Sequence, residues 1–196
     1  SDGVFTPGET PDLSMPIEKY YNPLVRKLRS IPMPAVCAVN GVAAGAGANV
    51  ALACDIVIAA RSAKFIQAFA KLGLVPDSGG TWFLPRLVGG ARARALAMLA
   101  EPVSAERAEA WGMIWKVVED SDLMTEAHAL AASLATQPTD GLALIKQALD
   151  ASERNTLDAQ LDLERDLQGR AGRSADYAEG VTAFLEKRSP RFVGRA

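Results

Sequence analysis

Residues 34–60 read Pro34-Ala35-Val36-Cys37-Ala38-Val39-Asn40-Gly41-Val42-Ala43-Ala44-Gly45-Ala46-Gly47-Ala48-Asn49-Val50-Ala51-Leu52-Ala53-Cys54-Asp55-Ile56-Val57-Ile58-Ala59-Ala60. Two short apolar runs, Ala35 to Val39 and Asp55 to Ala60, flank a glycine-rich loop from Gly41 to Gly47 and a small-residue helix from Ala48 to about Ala53. Strand, loop, helix, strand is a βαβ unit, whose two strands pair in parallel. The fold class is therefore α/β. Glycines at 41, 45 and 47 let the backbone turn tightly and let a ligand or another chain approach. A helix that starts there points unpaired N–H groups outward, which favours negative charge. The same glycines also suit a purely structural turn. A dinucleotide site is the weaker alternative, because Val50 stands where the third fingerprint glycine belongs and the second strand ends without a ribose-binding acid.

Working outward, Pro16 to about Ser30 places Ile17, Tyr20, Tyr21, Leu24 and Leu28 near helical spacing, after a loop over residues 1–15. Residues 63–72 fit neither period. Gly79 to Val88 predicts a short helix stopped by Gly89-Gly90, and Ala91 to Ala100 a second one. Ser104 opens another helix ending near Gly112, and Ile114 to Val118 is a strand. From Ser121 the chain is almost wholly helical, punctuated by Pro138, Asn155 and Gly172, and its last helix sets Tyr177, Val181, Phe184 and Leu185 on one face. The organisation is a core over residues 16–119 and a helical region over residues 120–196.

The bulk composition excludes several classes of function. A formal net charge of −2 gives no reason to expect nucleic acid or an anionic membrane as partner. Asp55 and Arg61 bracket the longest apolar stretch, so no transmembrane span is expected. Two cysteines in apolar surroundings, Cys37 and Cys54, read as reduced, buried thiols of a cytoplasmic protein. The single histidine, His128, lies in an Ala-rich helix, which leaves neither a His-based triad nor a zinc site at useful spacing. Trp82, Trp111 and Trp115 read as core packing, and Arg61, Lys64 and Lys71 as solvated charge.

One carboxylate stands out. Asp77 lies in Leu74-Val75-Pro76-Asp77-Ser78-Gly79-Gly80, just before a helix. It suits an N-cap. It also suits a base facing a backbone oxyanion donor on the glycine loop, the minimum equipment for moving a proton beside a carbonyl.

These stretches, in this order, resemble the enoyl-CoA hydratase/isomerase (crotonase) superfamily. The match carries Pro34 to Gly47, Cys54 to Ala59, Ala63-Lys64-Phe65 and Leu72 to Thr81. The resemblance implies a spiral of ββα turns, a C-terminal helical region that drives trimerisation, and an acyl-CoA thioester as substrate. It implies that the thioester oxygen sits at the Ala46 N–H, beside Gly45. A second amide donor is implied before Ser1, with early strands of the spiral and much of the adenine-nucleotide pocket. The sequence accordingly reads as lacking the N-terminal part of the spiral.

Family hydratases carry two Glu residues at positions matching Asn49 and Phe69 here. Neither residue exchanges a proton at neutral pH, so water addition by the usual route is disfavoured. Asn49 and Phe69 are left as substrate-lining positions. Asp77 matches a third position, where isomerase branches carry their acid. Lys71 to Arg86, Trp111 to Val118 and Gly172 to Gly180 resemble a branch that isomerises ring-epoxide acyl-CoA thioesters. Phe184 and Lys187 match residues that reach the coenzyme A of a neighbouring subunit. The implied assembly is a homotrimer or a dimer of trimers. No metal and no cofactor is expected beyond the coenzyme A of the substrate. A hydratase-like enzyme with another acid and a non-catalytic oligomerising fragment are the alternatives.

Overall fold

Val36–Val39 (β1) and Ile56–Ala60 (β3) pair in parallel, with Cys37 opposite Val57. This is the parallel arrangement that the flanking apolar runs predict. The structure is a computed structural model that describes residues 11–194. Lys116–Val118 (β6) pairs in parallel with the other edge of β3, giving a sheet in the order β1-β3-β6. A second sheet, in the order β2-β4-β5, consists of Val42–Ala44 (β2), Lys64–Ile66 (β4) and Val103–Ser104 (β5). In it β2 and β4 run parallel, whereas β4 and β5 run antiparallel.

Three of these strands depart from the sequence expectation, β5 among them, since Ser104 is expected only to open a helix. The segment Gly41 to Gly47 is not all loop, because β2 occupies its middle and pairs Ala43 with Phe65. The ambiguous stretch 63–72 splits into β4 and a 3₁₀ helix, Ala68–Leu72. Short strands of three residues carry too little periodicity to be read alone. Their pairing is decided by burial, and Phe65 is 1% exposed. Burying that ring contributes about 2 kcal/mol.

The helices fall close to their expected places. An α-helical turn, Ser14–Pro16 (α1), passes through a π-helical turn, Ile17–Tyr21, into Asn22–Ser30 (α2). Helix formation thus begins inside the expected loop of residues 1–15, whose first ten residues lie outside the described part. Ala46–Leu52 (α3) follows β2. Gly80–Leu99 (α4) is broken at Gly89, whose φ of 78° and ψ of 159° no helix contains, so its two halves match the two expected helices. Ala105–Ala110 (α5) starts where Ser104 Oγ accepts the Arg107 N–H. Leu123–Ala135 (α6), Thr139–Ser152 (α7), Leu157–Ala171 (α8) and Ala175–Glu186 (α9) complete the chain, with breaks at the expected punctuation.

One core unites Val39, Ile58, Phe65, Leu96, Val103 and Leu123. Leu123 and Ala127 bring α6 into it, so the first C-terminal helix packs as part of the sheet layer. The cysteines and one tryptophan correct the expectations. Cys37 and Cys54 are half-buried, and each is the other's neighbour, which pushes the Cys37 thiol up and the Cys54 thiol down. Trp82 and Trp111 pack against the core edge under Arg86 and Arg107 respectively, but Trp115 is exposed. His128 is exposed on α6.

The helical region is bolted to the sheets by ion pairs that the sequence did not disclose. Lys146 on α7 is buried. Its Nζ donates to Asp55 Oδ2 at 2.8 Å, to the Leu28 carbonyl at 2.7 Å and to the Met33 carbonyl at 3.3 Å. Asp55 Oδ2 also accepts the Ala35 N–H at 2.7 Å. Nearby, Arg29 pairs with Asp150, whose carboxyl burial pushes up and Arg29 pulls down. At the far end, buried Asp176 accepts the Val193 and Gly194 N–H groups, which folds the tail back onto α9. Arg188 and the Arg191 N–H hold the Glu179 carboxyl down to about 2.

The Lys146→Met variant leaves Asp55 and two carbonyls without their cation. Removing one member of such a buried pair costs about 3 kcal/mol or more. Urea unfolding followed by circular dichroism is expected to show that loss, whereas exposed Lys116→Met, which breaks a surface pair with Glu126, changes stability by less than about 1 kcal/mol.

Candidate active site

Gly45 is the hinge between β2 and α3. Its φ of 54° and ψ of −125° suit glycine, and its N–H donates to the Ile66 carbonyl at 2.8 Å. The chain then turns into α3 with Ala46 as its first residue, so the Ala46 N–H has no carbonyl one turn earlier within the helix to receive it. Ala46 is half-buried, and the Phe69 ring lies under Gly45, 3.6 Å from where a Cβ would stand. Phe69 itself is 8% exposed.

Asp77 follows the 3₁₀ helix and an extended stretch. It is half-buried, and its Oδ1 accepts the Ser78 hydroxyl at 2.9 Å. The N-cap reading fails here. The capping position of α4 is Gly79, in the left-handed region at φ 82°, and no side chain caps that helix. The Asp77 carbonyl, not its carboxylate, meets the helix, accepting the Gly80 N–H at 2.8 Å. Ser78 is also left-handed, at φ 50°, and is 1% exposed. Two successive left-handed residues make the sharp turn that leaves the Asp77 carboxylate outside the helix. Such backbone costs about 1 kcal/mol or more for a non-glycine residue and collects at functional sites.

Asn49 ties the two halves together. It lies one turn into α3 and is fully buried. Its Nδ2 donates to the Asp77 carbonyl at 2.9 Å, and its Oδ1 accepts from Gln67 Nε2 at 2.7 Å. This corrects the expectation of Asn49 as a substrate-lining residue, since its amide is used inside the protein. Gln67, which sequence reading passed over, is 3% exposed, and its Oε1 is the buried side-chain oxygen without a partner among the described residues. Leaving such an acceptor unpaired costs about 1–3 kcal/mol. An isolated Gln after a three-residue strand gives no sequence signal; only the fold places it against Asn49.

Phe184 and Lys187 lie at the end of α9. Phe184 is 81% exposed, and Lys187 ends the helix in the left-handed region. Tyr177, Val181 and Leu185 are exposed beside it, so the predicted apolar face of α9 is largely uncovered among the described residues. A cleft of about 640 Å³ runs along that face, between α7 and the end of α8. Among the described residues no cluster of His, Cys, Asp and Glu suits a metal ion, and no helix is long and apolar enough to cross a membrane.

Residues 9–195 match the family described as enoyl-CoA hydratase/isomerase. The chain is 65% identical over 188 residues to 1,2-epoxyphenylacetyl-CoA isomerase of Escherichia coli strain K12, covering 96% of this chain and 72% of that enzyme. It is 53% identical over 184 residues to a "Probable enoyl-CoA hydratase" of Rhodobacter capsulatus, covering 94% and 72%. The crystal structure of an enoyl-CoA hydratase from Polaromonas sp. JS666 superposes with a TM-score of 0.88 at 39% identity, covering 94% of this chain and 72% of that one. The chain belongs to the enoyl-CoA hydratase/isomerase, or crotonase, family and is an enzyme of its isomerase branch.

Gly80 is where the first turn of α4 crosses Asn49. A Cβ there would stand 2.6 Å from Asn49 Cγ. Gly80→Ala is expected to lower stability by about 1–3 kcal/mol, as overpacking does. In a crystal structure of that variant the Asn49 amide is expected to be displaced from the Asp77 carbonyl.

Proposed function

We propose that this protein is an acyl-CoA isomerase in which Asp77 carries the proton and the Ala46 N–H stabilises the thioester enolate. The observation that carries this reading is the Asn49 hydrogen bond, which fastens the Asp77 segment to the helix that begins with Ala46. A carboxylate free of capping duty, on a segment tied to a helix whose first N–H has no intrahelical acceptor, fits proton transfer next to a carbonyl.

The reaction needs few parts. Asp77 removes a proton from the carbon beside the thioester, and the electron pair moves onto the carbonyl oxygen as an enolate. The Ala46 dipole opposes that negative charge; one such donor contributes about 3 kcal/mol to the transition state. The protonated Asp77 then returns the proton two carbons further along, which shifts the double bond. No metal or redox group is required for these steps. The likeness to the E. coli enzyme supports a ring-epoxide substrate, 2-(1,2-epoxy-1,2-dihydrophenyl)acetyl-CoA, opened to an oxepin-CoA, and a place in phenylacetate catabolism. Asn49 and Phe69 supply no carboxylate to activate water, which favours isomerisation over hydration.

The exposed apolar face of α9 supports assembly as a homotrimer or a dimer of trimers. In that assembly Phe184 and Lys187 reach the coenzyme A held by a neighbouring subunit.

Asp77→Asn is expected to keep the fold and acyl-CoA binding while kcat for isomerisation of a 3-enoyl-CoA falls at least about a hundredfold. Unaltered turnover would mean that Asp77 shapes only the turn. Lys187→Ala is expected to raise KM for the acyl-CoA about fivefold, the effect of losing roughly 1 kcal/mol of ionic contact, with kcat little changed. A change confined to kcat contradicts that assignment.

A further inference from the structure

We infer that Gln67 and Asn49 act as a pair of positioning residues, a buried amide relay that sets where the Asp77 carboxylate stands relative to α3. This rests on Asp77 as the acid/base group. The direction of the relay is fixed from one end. The Asp77 carbonyl accepts only, so Asn49 must present its NH₂ group, at 2.9 Å. The Asn49 oxygen must then face Gln67, and Gln67 must present its own NH₂ group, at 2.7 Å. Gln67 Oε1 is thereby turned to where no partner among the described residues meets it. Packing alone would place an apolar side chain at such a site. A glutamine that leaves its oxygen unpaired serves the one bond its nitrogen makes.

The relay also spans three separate pieces of the site. Gln67 precedes the 3₁₀ helix that carries Phe69, Asn49 lies in α3, and the Asp77 segment leads into α4. Gly80, with no side chain, leaves the space that the Asn49 amide fills. Moving any one member shifts the carboxylate without touching it. A displacement of about 1 Å at a reacting group can cost a hundredfold in rate.

The test compares Asn49→Asp, Gln67→Met and the exchanged pair Asn49→Gln with Gln67→Asn, using a 3-enoyl-CoA as probe. Asn49→Asp keeps the bond from Gln67 and loses the donor to Asp77. Gln67→Met keeps the volume and loses the donor to Asn49, which covers the case where the buried acid prevents folding. Both single variants are expected to lower kcat at least about tenfold with KM within about twofold, measured per folded protein. The exchanged pair, which restores both donors, is expected to recover much of that loss. Unchanged kcat in the folded single variants, with only the thermal midpoint lowered, would overturn the inference. Asp77→Asn separates the two levels. If it is inactive while Gln67→Met is fully active, only the relay fails; if it is fully active, the assignment of Asp77 itself fails.

Discussion

A single buried side chain, Asn49, governs the geometry on which the proposed chemistry depends. It has no charge and makes two hydrogen bonds, yet it joins the strand-to-helix turn at Gly45 to the segment bearing Asp77. In a low-dielectric interior a hydrogen bond between two amides is directional and hard to replace. The surrounding residues follow from it. Gly80 is without a side chain because the amide fills that space, and Ser78 and Gly79 are left-handed because the chain must turn sharply once its carbonyl is held. An amide at position 49 supplies no acid–base group and serves as a mechanical hold.

The two halves of the molecule are joined by a different device. Lys146 enters from α7 and gathers Asp55, Leu28 and Met33 around one ammonium group. Asp55 lies between α3 and β3, so this cluster fixes the far end of the helix whose near end carries Ala46. The small side chains Ala48 and Ala51 let α3 sit close to its neighbours, both being buried. The helix is therefore held at both ends by polar contacts and along its length by close packing. That is the rigidity a fixed peptide dipole needs to act on a developing charge.

Much of this was legible in the sequence. The alternation of apolar runs, glycines and small residues over 34–60 disclosed the parallel pairing of β1 and β3, and Gly89, Pro138 and Gly172 marked helix breaks where the structure has them. Asp77 drew notice because a lone carboxylate after a glycine-rich loop carries chemical meaning by residue type, whereas Ala46 was named only through the family resemblance. What escaped notice has a common cause. The pairing of β2 with β4, the Lys146 cluster and the Gln67 contact with Asn49 all depend on residues brought together from distant parts of the chain. A lysine in an amphipathic helix looks solvated until a carboxylate and two carbonyls close over it. Asn49 was noticed for the acid it lacks, and its hold on the Asp77 carbonyl appears only in three dimensions. Trp115 shows the opposite error, since an aromatic ring in the turn just ahead of β6 is an unreliable sign of the core.

The turn at Gly45 has an evolutionary consequence. The group proposed to meet the enolate is a peptide amide, and every amino acid except proline supplies one. Ala46 can therefore drift to other small residues without erasing the dipole, whereas a change at Gly45 would re-aim it while leaving every functional side chain in the alignment intact. Loss of function through that route would be invisible to any survey that scores only reactive groups, because the information sits in a residue that has no side chain.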